Sequence, residues 1–113
     1  MVTTVLRGED HILECRKTLS FWDRFRGLMF APERKAIPLV ITPCNQVHTW
    51  FMEFPLRLLY LDEVGMVLKN EQLSPWRFGK KVPGAKYVVE IPISLSTPYW
   101  DSLKSGQFLK LNQ

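Results

Sequence analysis

Short stretches of alternating apolar and polar residues dominate this chain, and they predict β-strands. Val2–Arg7 and His11–Cys15 flank the turn-like triplet Gly8-Glu9-Asp10, which predicts an opening hairpin. Val47–Phe54 also alternates, and successive side chains of a strand point to opposite faces. The face predicted for this strand consists of His48, Trp50, Met52 and Phe54.

The second half of the chain predicts two further strands around a long loop. Leu56–Leu61 is apolar on both faces apart from Arg57, which is typical of a central, doubly covered strand, and Met66–Lys69 predicts its hairpin partner. The proline- and glycine-rich segment Leu73–Gly84 predicts a loop. Lys86–Ile91 then alternates again. We expect its core face to hold Tyr87, Val89 and Ile91, with Lys86 and Glu90 facing away.

Two short helices are predicted. Ser20–Gly27 begins with Ser20 and Asp23 in a capping-box pattern and continues with apolar residues at helical spacing. Thr97 and Pro98 predict the N-cap and first turn of a helix that runs to Gly106. The last apolar segment, Phe108–Leu111, predicts a closing strand.

These elements predict a mostly β (α+β) protein, a compact and mainly antiparallel barrel-like sheet with two short helices. The length of 113 residues is enough for one domain, so we expect a single domain over residues 1–113. Hydrophobic residues make up 46% of the chain, which is ordinary for a globular protein.

The composition indicates the cellular location, the state of the cysteines and the charge of the preferred partners. No apolar run approaches the roughly 20 residues of a membrane span, and the first residues show no basic and apolar signal pattern. We therefore expect a cytoplasmic protein. The two cysteines, Cys15 and Cys44, are too few to indicate a disulfide framework and are expected to be reduced. A net charge of +4 favours acidic partners slightly.

Three separated pieces of sequence carry a resemblance to a known family. They are Arg24 to Met29, Pro43 to Asp62 with its His48-Thr49-x-x-Met52 segment, and Ala85 to Pro92. In order and spacing the chain resembles the uncharacterised prokaryotic family known as domain of unknown function 192. The resemblance implies a single β-rich domain, often made with an export signal, and it supplies no reaction, ligand or cofactor. Many relatives carry a basic residue at the place of Glu53 and an acidic one at Arg57, so this chain has the two signs exchanged.

A metal site is one hypothesis, because His11, Cys15, Cys44 and His48 form a nominal Cys₂His₂ set. Each pair is four residues apart in strand-like sequence, so its members would stand about 13 Å from each other. Zinc bonds of about 2.0–2.3 Å do not bridge that distance, and no metal or cofactor is predicted.

A nucleophilic Cys44 with His48 as its base is a second hypothesis. The same distance argument opposes it, although Cys44 precedes the predicted strand and could fold back. A buried, unreactive cysteine beside a proline is the commoner outcome.

The third hypothesis is a ligand site on the predicted face of His48, Trp50 and Met52, joined by Arg24, Arg57 or Trp76. An aromatic ring, a thioether and a histidine on one face can form the floor of an apolar pocket with a few polar groups. The structural alternative is that Trp50 and Met52 are core residues. Arg57 must either pair, with Glu53 as the nearest candidate, or hold a carboxylate or phosphate.

The segment Trp76-Arg77-Phe78-Gly79-Lys80-Lys81 interleaves aromatic and cationic residues, as nucleic-acid-binding loops do. One loop with three charges is more often a solvated turn, so nucleic acid is not the predicted partner.

Taken together, the sequence predicts a small non-catalytic ligand- or partner-binding domain with a cleft beside the His48 strand. Its predicted site residues are His48, Trp50, Met52, Arg57, Trp76 and Arg24. A small anionic ligand or a protein segment would occupy the cleft. The alternative is a small hydrolase or transferase that uses Cys44 or His48.

Overall fold

A computed structural model describes residues 2–20, 23, 28–29 and 31–112 of the chain. Within them, seven strands form one sheet that curls into a half-barrel. The strands are β1 (Val2–Arg7), β2 (Ile12–Lys17), β3 (Leu39–Ile41), β4 (Leu56–Leu61), β5 (Val67–Leu73), β6 (Tyr87–Pro92) and β7 (Lys110–Leu111). Helix α1 spans Pro98–Asp101, and 3₁₀ turns occupy Glu33–Lys35 and Ile93–Leu95. The predicted mostly β fold is confirmed.

The strand order is β5-β4-β6-β3-β2-β1-β7. All neighbouring strands are antiparallel except β2 and β3, which pair in parallel through two register positions. The predicted opening hairpin is confirmed as β1 and β2, and the predicted central strand is confirmed as β4, which lies between β5 and β6. The position of β4 explains its nearly continuous apolar sequence, because both of its faces are covered.

The alternation of β4 divides the core into two clusters on opposite faces of the sheet. One face, which we call the loop face, carries Leu56, Leu58 and Tyr60 and is covered by residues of the loops, including Val47 and Met52. The other, which we call the helix face, contains the following buried residues: Leu59, Leu61, Val89, Ile91, Cys15 and, from α1, Trp100.

Two predicted elements differ in extent. Helix α1 ends at Asp101 and not at Gly106, and the closing strand shortens to Lys110–Leu111, with Phe108 in an isolated bridge to Met66. The predicted helix Ser20–Gly27 lies mostly outside the described residues. Its capping contacts are described: the Ser20 hydroxyl accepts a hydrogen bond from the Asp23 N–H at 3.1 Å, and the Asp23 carboxylate accepts one from the Leu19 N–H at 3.0 Å.

No helix in the described part of the chain is long and apolar enough to cross a membrane.

Candidate functional site

The segment Val47–Phe54 is not a strand, which corrects the prediction made from its alternation. His48 forms an isolated bridge with Phe78, and the chain then turns at Trp50 and Phe51. The turn breaks the period of two, so the face predicted for this segment does not exist. Trp50 is exposed, whereas Met52 is 3% exposed and packs in the core of the loop face.

Thr49 is the physical reason for this turn. It is completely buried, and its N–H donates to the Arg77 carbonyl at 2.8 Å while its own carbonyl accepts from the Trp76 N–H at 2.9 Å. Its hydroxyl donates to the Ser74 carbonyl and accepts from the Arg77 N–H at 2.9 Å. A buried hydroxyl that both donates and accepts a hydrogen bond fixes the loop of residues 47–54 to the loop of residues 74–81, and we call these the two braced loops. Their long-range hydrogen bonds override the local strand preference.

A second set of contacts holds the same two loops further along. The Gly79 N–H donates to the Val47 carbonyl at 2.8 Å, and the Gln46 side chain donates to the Gly79 carbonyl at 2.9 Å. A Cβ at Gly79 would lie 3.0 Å from the Val47 oxygen and 3.3 Å from the Tyr60 hydroxyl. The backbones therefore approach too closely for a side chain to fit there without displacement.

Four aromatic side chains stand on the outside of this braced pair of loops. They are Trp50, Phe51, Trp76 and Phe78, which are 45–59% exposed, and we call them the aromatic patch. Each ring touches one from the other loop: Trp50 and Phe78 are edge to face at 5.3 Å, and Phe51 and Trp76 are tilted at 4.9 Å. A water-exposed cluster of this kind marks an interaction surface more often than a packing defect.

Backbone strain coincides with the aromatic patch. Phe51 and Trp76 have φ angles of 63° and 60°, and they are the non-glycine residues with positive φ in the described part of the chain. The left-handed conformation costs an L-residue with a bulky side chain about 1–2 kcal/mol. The hydrogen bonds of Thr49 to the 74–81 loop hold both residues in this conformation.

His48 lies beside the aromatic patch and is partly buried. Its Nδ1 accepts a hydrogen bond from the Trp50 N–H at 3.3 Å, and its ring lies 5.7 Å from that of Trp50 and 6.2 Å from that of Phe78. Desolvation lowers the pKa of His48 below its ordinary value, so the imidazole is neutral at neutral pH. Because Nδ1 already accepts a hydrogen bond, the neutral ring carries its proton on Nε2.

Arg57 lies on the helix face, away from the aromatic patch. Its Nε contacts Asp101 Oδ1 at 3.1 Å, and its two terminal nitrogens donate to Asn70 at 3.1 Å and Gln72 at 3.4 Å. The interpretation that Arg57 pairs with Glu53 is therefore wrong: its carboxylate partner comes from α1. The three-way pairing also explains how a guanidinium is accommodated in an apolar strand.

Cys44 and His48 have separate hydrogen-bond partners. The Cys44 thiol donates to the Gln46 carbonyl at 3.2 Å, whereas His48 bonds to the Trp50 backbone. Cys15 and Cys44 are not joined in a disulfide. The Cys15 thiol is buried on the helix face and burial raises its pKa to about 12, so it is not a thiolate at neutral pH.

The nominal Cys₂His₂ set is divided between the two faces. Cys15 belongs to the core of the helix face and Cys44 packs against that of the loop face, so the sheet separates the two thiols. His11 stacks on Tyr99 with ring centroids 3.9 Å apart. Across the described ranges, no three His, Cys, Asp or Glu side chains gather in a way that could hold a metal ion.

Glu90 was predicted to face away from the core, and this is wrong. It is 3% exposed on the loop face, where it lies between Leu58 and Leu39 on the neighbouring strands. Its buried Oε1 atom has no hydrogen-bond partner among the residues that the structure describes, and burial raises the pKa of Glu90 to about 8. Both faces of β6 are covered, so alternation within that strand does not separate core from solvent.

A second polar group is buried near Glu90. The Tyr60 hydroxyl donates to Glu71 Oε2 at 2.9 Å. Burial is the main cause that raises the pKa of Tyr60, and the Glu71 carboxylate raises it further. The charge of Glu90 also acts on Tyr60. The Tyr60 hydroxyl lies beneath the two braced loops, since it would be 3.3 Å from a Cβ at Gly79.

The structure brings together three of the six predicted site residues. His48, Trp50 and Trp76 lie on the two braced loops, Met52 supports them from the core, and Arg57 is on the opposite face. Arg24 lies outside the described residues. Sequence reasoning missed Thr49 and Phe51 as parts of this site, because it placed both on the other side of a strand. Phe78 carried a signal, the interleaving of aromatic and cationic residues in its loop.

Solved structures resemble this fold. A protein of unknown function from Novosphingobium aromaticivorans superimposes with a TM-score of 0.71 and 15% identity, covering 96% of this chain and 84% of that one. A Sinorhizobium meliloti protein gives the same TM-score with 17% identity, covering 96% of this chain and 91% of that one. At these identities the likeness shows the fold alone.

Sequence comparison gives the family. A UPF0127 protein from Pyrococcus furiosus is 35% identical over 92 residues, 78% of this chain and 79% of the relative. One from Thermococcus sibiricus is 32% identical over 81 residues, 67% of this chain but 53% of the relative, so the chain matches about half of that protein's length. The model of domain of unknown function 192, described as an uncharacterised ACR, matches residues 2–99. The chain therefore belongs to the family of domain of unknown function 192.

Proposed function

We propose that this chain is a small non-catalytic binding domain, and that its ligand or partner sits on the aromatic patch beside His48. The observation that carries the proposal is the exposure of four aromatic rings on two loops that are locked together from below by Thr49. Burial of those rings in a complex would recover hydrophobic free energy that the isolated domain forgoes. Because the loops are already ordered, binding costs little conformational entropy.

Within this proposal, each site residue has a defined role. Trp50 and Trp76 provide the apolar contact surface, as aromatic anchors do at the centre of interfaces. His48 offers its Nε2–H as a hydrogen-bond donor beside them, and Met52 fixes the loop from inside the core. Arg57, held by Asp101 on the helix face, stabilises the fold and takes no part in contact with the ligand.

The charge around the patch favours an anionic ligand or partner. Arg77, Lys80 and Lys81 are exposed on the loop that carries Trp76 and Phe78, whereas Glu53 is the acidic residue of the 47–54 segment. An aromatic surface next to three cations attracts anions and holds them where the apolar contacts form.

The test is a thermal-shift screen with phosphorylated and carboxylated metabolites and acidic peptides, followed by calorimetry of each compound that raises the melting temperature. Trp50→Ala should weaken such binding by at least about tenfold, since an aromatic anchor contributes about 2 kcal/mol or more. Phe108→Ala is the matched control, because Phe108 is also an exposed aromatic residue (63%) but pairs with Met66, away from the two loops. A ligand whose affinity is the same for both variants and the wild type would refute the proposed site.

The alternative, a hydrolase or transferase using Cys44 or His48, requires these groups to act on a common substrate. Their separate hydrogen bonds do not support such a pair. Cys44→Ser should therefore leave ligand binding to the patch unchanged. A substrate that is turned over by the wild type and not by Cys44→Ser would establish the enzyme in place of the binding domain.

A further inference from the structure

We infer that the occupant of the aromatic patch is the surface of an anionic phospholipid membrane, into whose headgroup region Trp50, Phe51, Trp76 and Phe78 insert. This inference rests on the proposed function and names the partner of the same surface. It is drawn from the arrangement of charge, the geometry of the rings and the size and rigidity of the patch.

Exposed cationic residues accompany the aromatic residues of the second loop in sequence. Arg77 lies between two of the exposed aromatic residues in sequence, and Lys80 and Lys81 follow directly after Gly79. All three cations are exposed. When aromatic rings reach the boundary between headgroups and acyl chains, cations beside them lie at the level of the lipid phosphates. Tryptophan is suited to this depth, because its ring is apolar and its N–H finds a polar partner at the interface.

The ring geometry favours a lipid surface over a single-stranded nucleic acid. Bases stack on aromatic faces, so a nucleic-acid platform presents open and roughly parallel rings along the strand. Here Trp50 and Phe78 meet edge to face at 81°, and Phe51 and Trp76 are tilted at 58°, so neither pair presents two parallel rings. The four rings form two compact pairs with apolar surfaces. A lipid interface requires apolar area and imposes no such stacking geometry.

The size and rigidity of the aromatic patch also favour insertion into a membrane surface. Aromatic side chains bury about 150–250 Å² each, so four rings that are roughly half exposed offer on the order of 400 Å². That is the size of the largest apolar patch on a typical monomeric protein, which is often functional. The hydrogen bonds of Thr49 keep the loops in shape, so insertion needs no prior folding step.

The experiment measures binding of the full chain to vesicles by co-sedimentation and by tryptophan fluorescence. Vesicles of phosphatidylcholine mixed with phosphatidylserine should bind the protein, with a blue shift and with quenching by lipids brominated near the headgroup. Vesicles of phosphatidylcholine alone should bind it weakly. Lys80→Gln combined with Lys81→Gln should reduce the partition coefficient about thirtyfold, at about 1 kcal/mol for each charge, and added salt should have the same direction of effect.

Aromatic variants separate insertion from simple charge attraction. Trp50→Ala combined with Phe78→Ala removes one ring pair and should reduce partitioning at least about tenfold. Phe108→Ala and Lys110→Gln, at exposed positions away from the two loops, are the matched controls and should bind as the wild type does. Circular dichroism of each variant verifies that the fold is retained.

The outcomes distinguish this inference from the proposed function. If vesicles are not bound but oligo(dT), oligo(U) or an acidic peptide is bound in a Trp50-dependent manner, the membrane inference is overturned and the patch remains the binding site. If vesicles are bound and the Trp50/Phe78 variant binds them equally well, the membrane inference is refuted, and the proposed function is refuted as well only if the soluble ligands also bind independently of Trp50. Loss of vesicle binding in that variant together with wild-type binding in Phe108→Ala supports both.

Discussion

Replacing Glu90 by Gln should make the protein more stable above neutral pH, which is the reverse of the usual outcome of altering a buried residue. The Glu90 carboxyl lies in the core of the loop face, and its Oε1 atom is buried without a hydrogen-bond partner among the described residues. Burial raises the pKa of Glu90 from 4.5 to about 8, because desolvation disfavours the charged form. Glutamine has nearly the same shape and never ionises.

The sign follows from proton binding in the two states. Between about pH 4.5 and about pH 8 the folded carboxyl holds its proton and the unfolded one has lost it, so the folded state binds more protons. The free energy of unfolding therefore falls as the pH rises through this window. Integrated over the two pKa values, the loss is about 2–3 kcal/mol between about pH 5 and pH 7, and roughly 4 kcal/mol by pH 9. This is a large share of the 5–15 kcal/mol typical of a domain.

The assay is urea denaturation of the wild type and of Glu90→Gln at several pH values from about 5 to 9. The difference in unfolding free energy between the two proteins should rise with pH by the amounts above, because contributions from the other titrating groups cancel in that difference. Glu33→Gln, at an exposed glutamate of a 3₁₀ turn, is the control for replacing a carboxylate at the surface. A Glu90→Gln difference that stays flat with pH would mean that the carboxylate is well solvated or paired in the fold, and the reasoning would be refuted.

Three further predictions concern the hydrogen bonds of Thr49, the backbone strain at Phe51 and the pairing of Arg57 on the helix face. Thr49→Val should lower the free energy of unfolding by about 2 kcal/mol in urea melts, since it removes the buried hydroxyl that bonds to the Ser74 carbonyl and the Arg77 N–H, whereas Thr49→Ser should retain most of the stability. Phe51→Gly should be about 1 kcal/mol more stable than Phe51→Ala in the same assay, because only glycine relieves the φ of 63°; equal stability would argue against strain. Arg57→Ala should cost about 2 kcal/mol and Arg57→Lys should recover less than half of it, because lysine does not reproduce three directed hydrogen bonds; full recovery by lysine would contradict this role.

The strands that could be predicted from sequence are those in which the order of apolar and polar residues alone indicates the strand. The run Leu56–Leu61 is apolar on both faces because it pairs on both sides and is covered on both faces, so composition alone indicates a central strand. The opening hairpin was predictable because Gly8, Glu9 and Asp10 separate two alternating segments.

The parts of the candidate site that sequence did not predict depend on long-range contacts. Val47–Phe54 has the alternation of a strand, but Thr49 bonds to residues 25–28 positions away and is thereby turned into the core. Glu90 has the position of an outward-facing residue in an alternating strand, but the loops cover that face as well. In both cases the partner is distant in sequence, so no local pattern records it.

Departures from the ordinary rules of folding concentrate on one side of this sheet. The loop face combines a buried carboxyl, two bulky residues with positive φ and four exposed aromatic rings in mutual contact. The helix face pairs its arginine with three partners and fills its core with aliphatic residues and Trp100. Exposed apolar residues elsewhere, such as Val64 and Phe108, do not form a comparable group of rings in mutual contact within the described ranges. The buried carboxyl and the two strained residues lower stability, and departures of this kind are expected to cluster where a surface serves binding. This reasoning requires two substitutions on the loop face to separate. Phe51→Gly, which relieves backbone strain but removes a ring of the patch, should weaken binding, whereas Glu90→Gln, which removes the buried carboxyl and leaves the rings in place, should not.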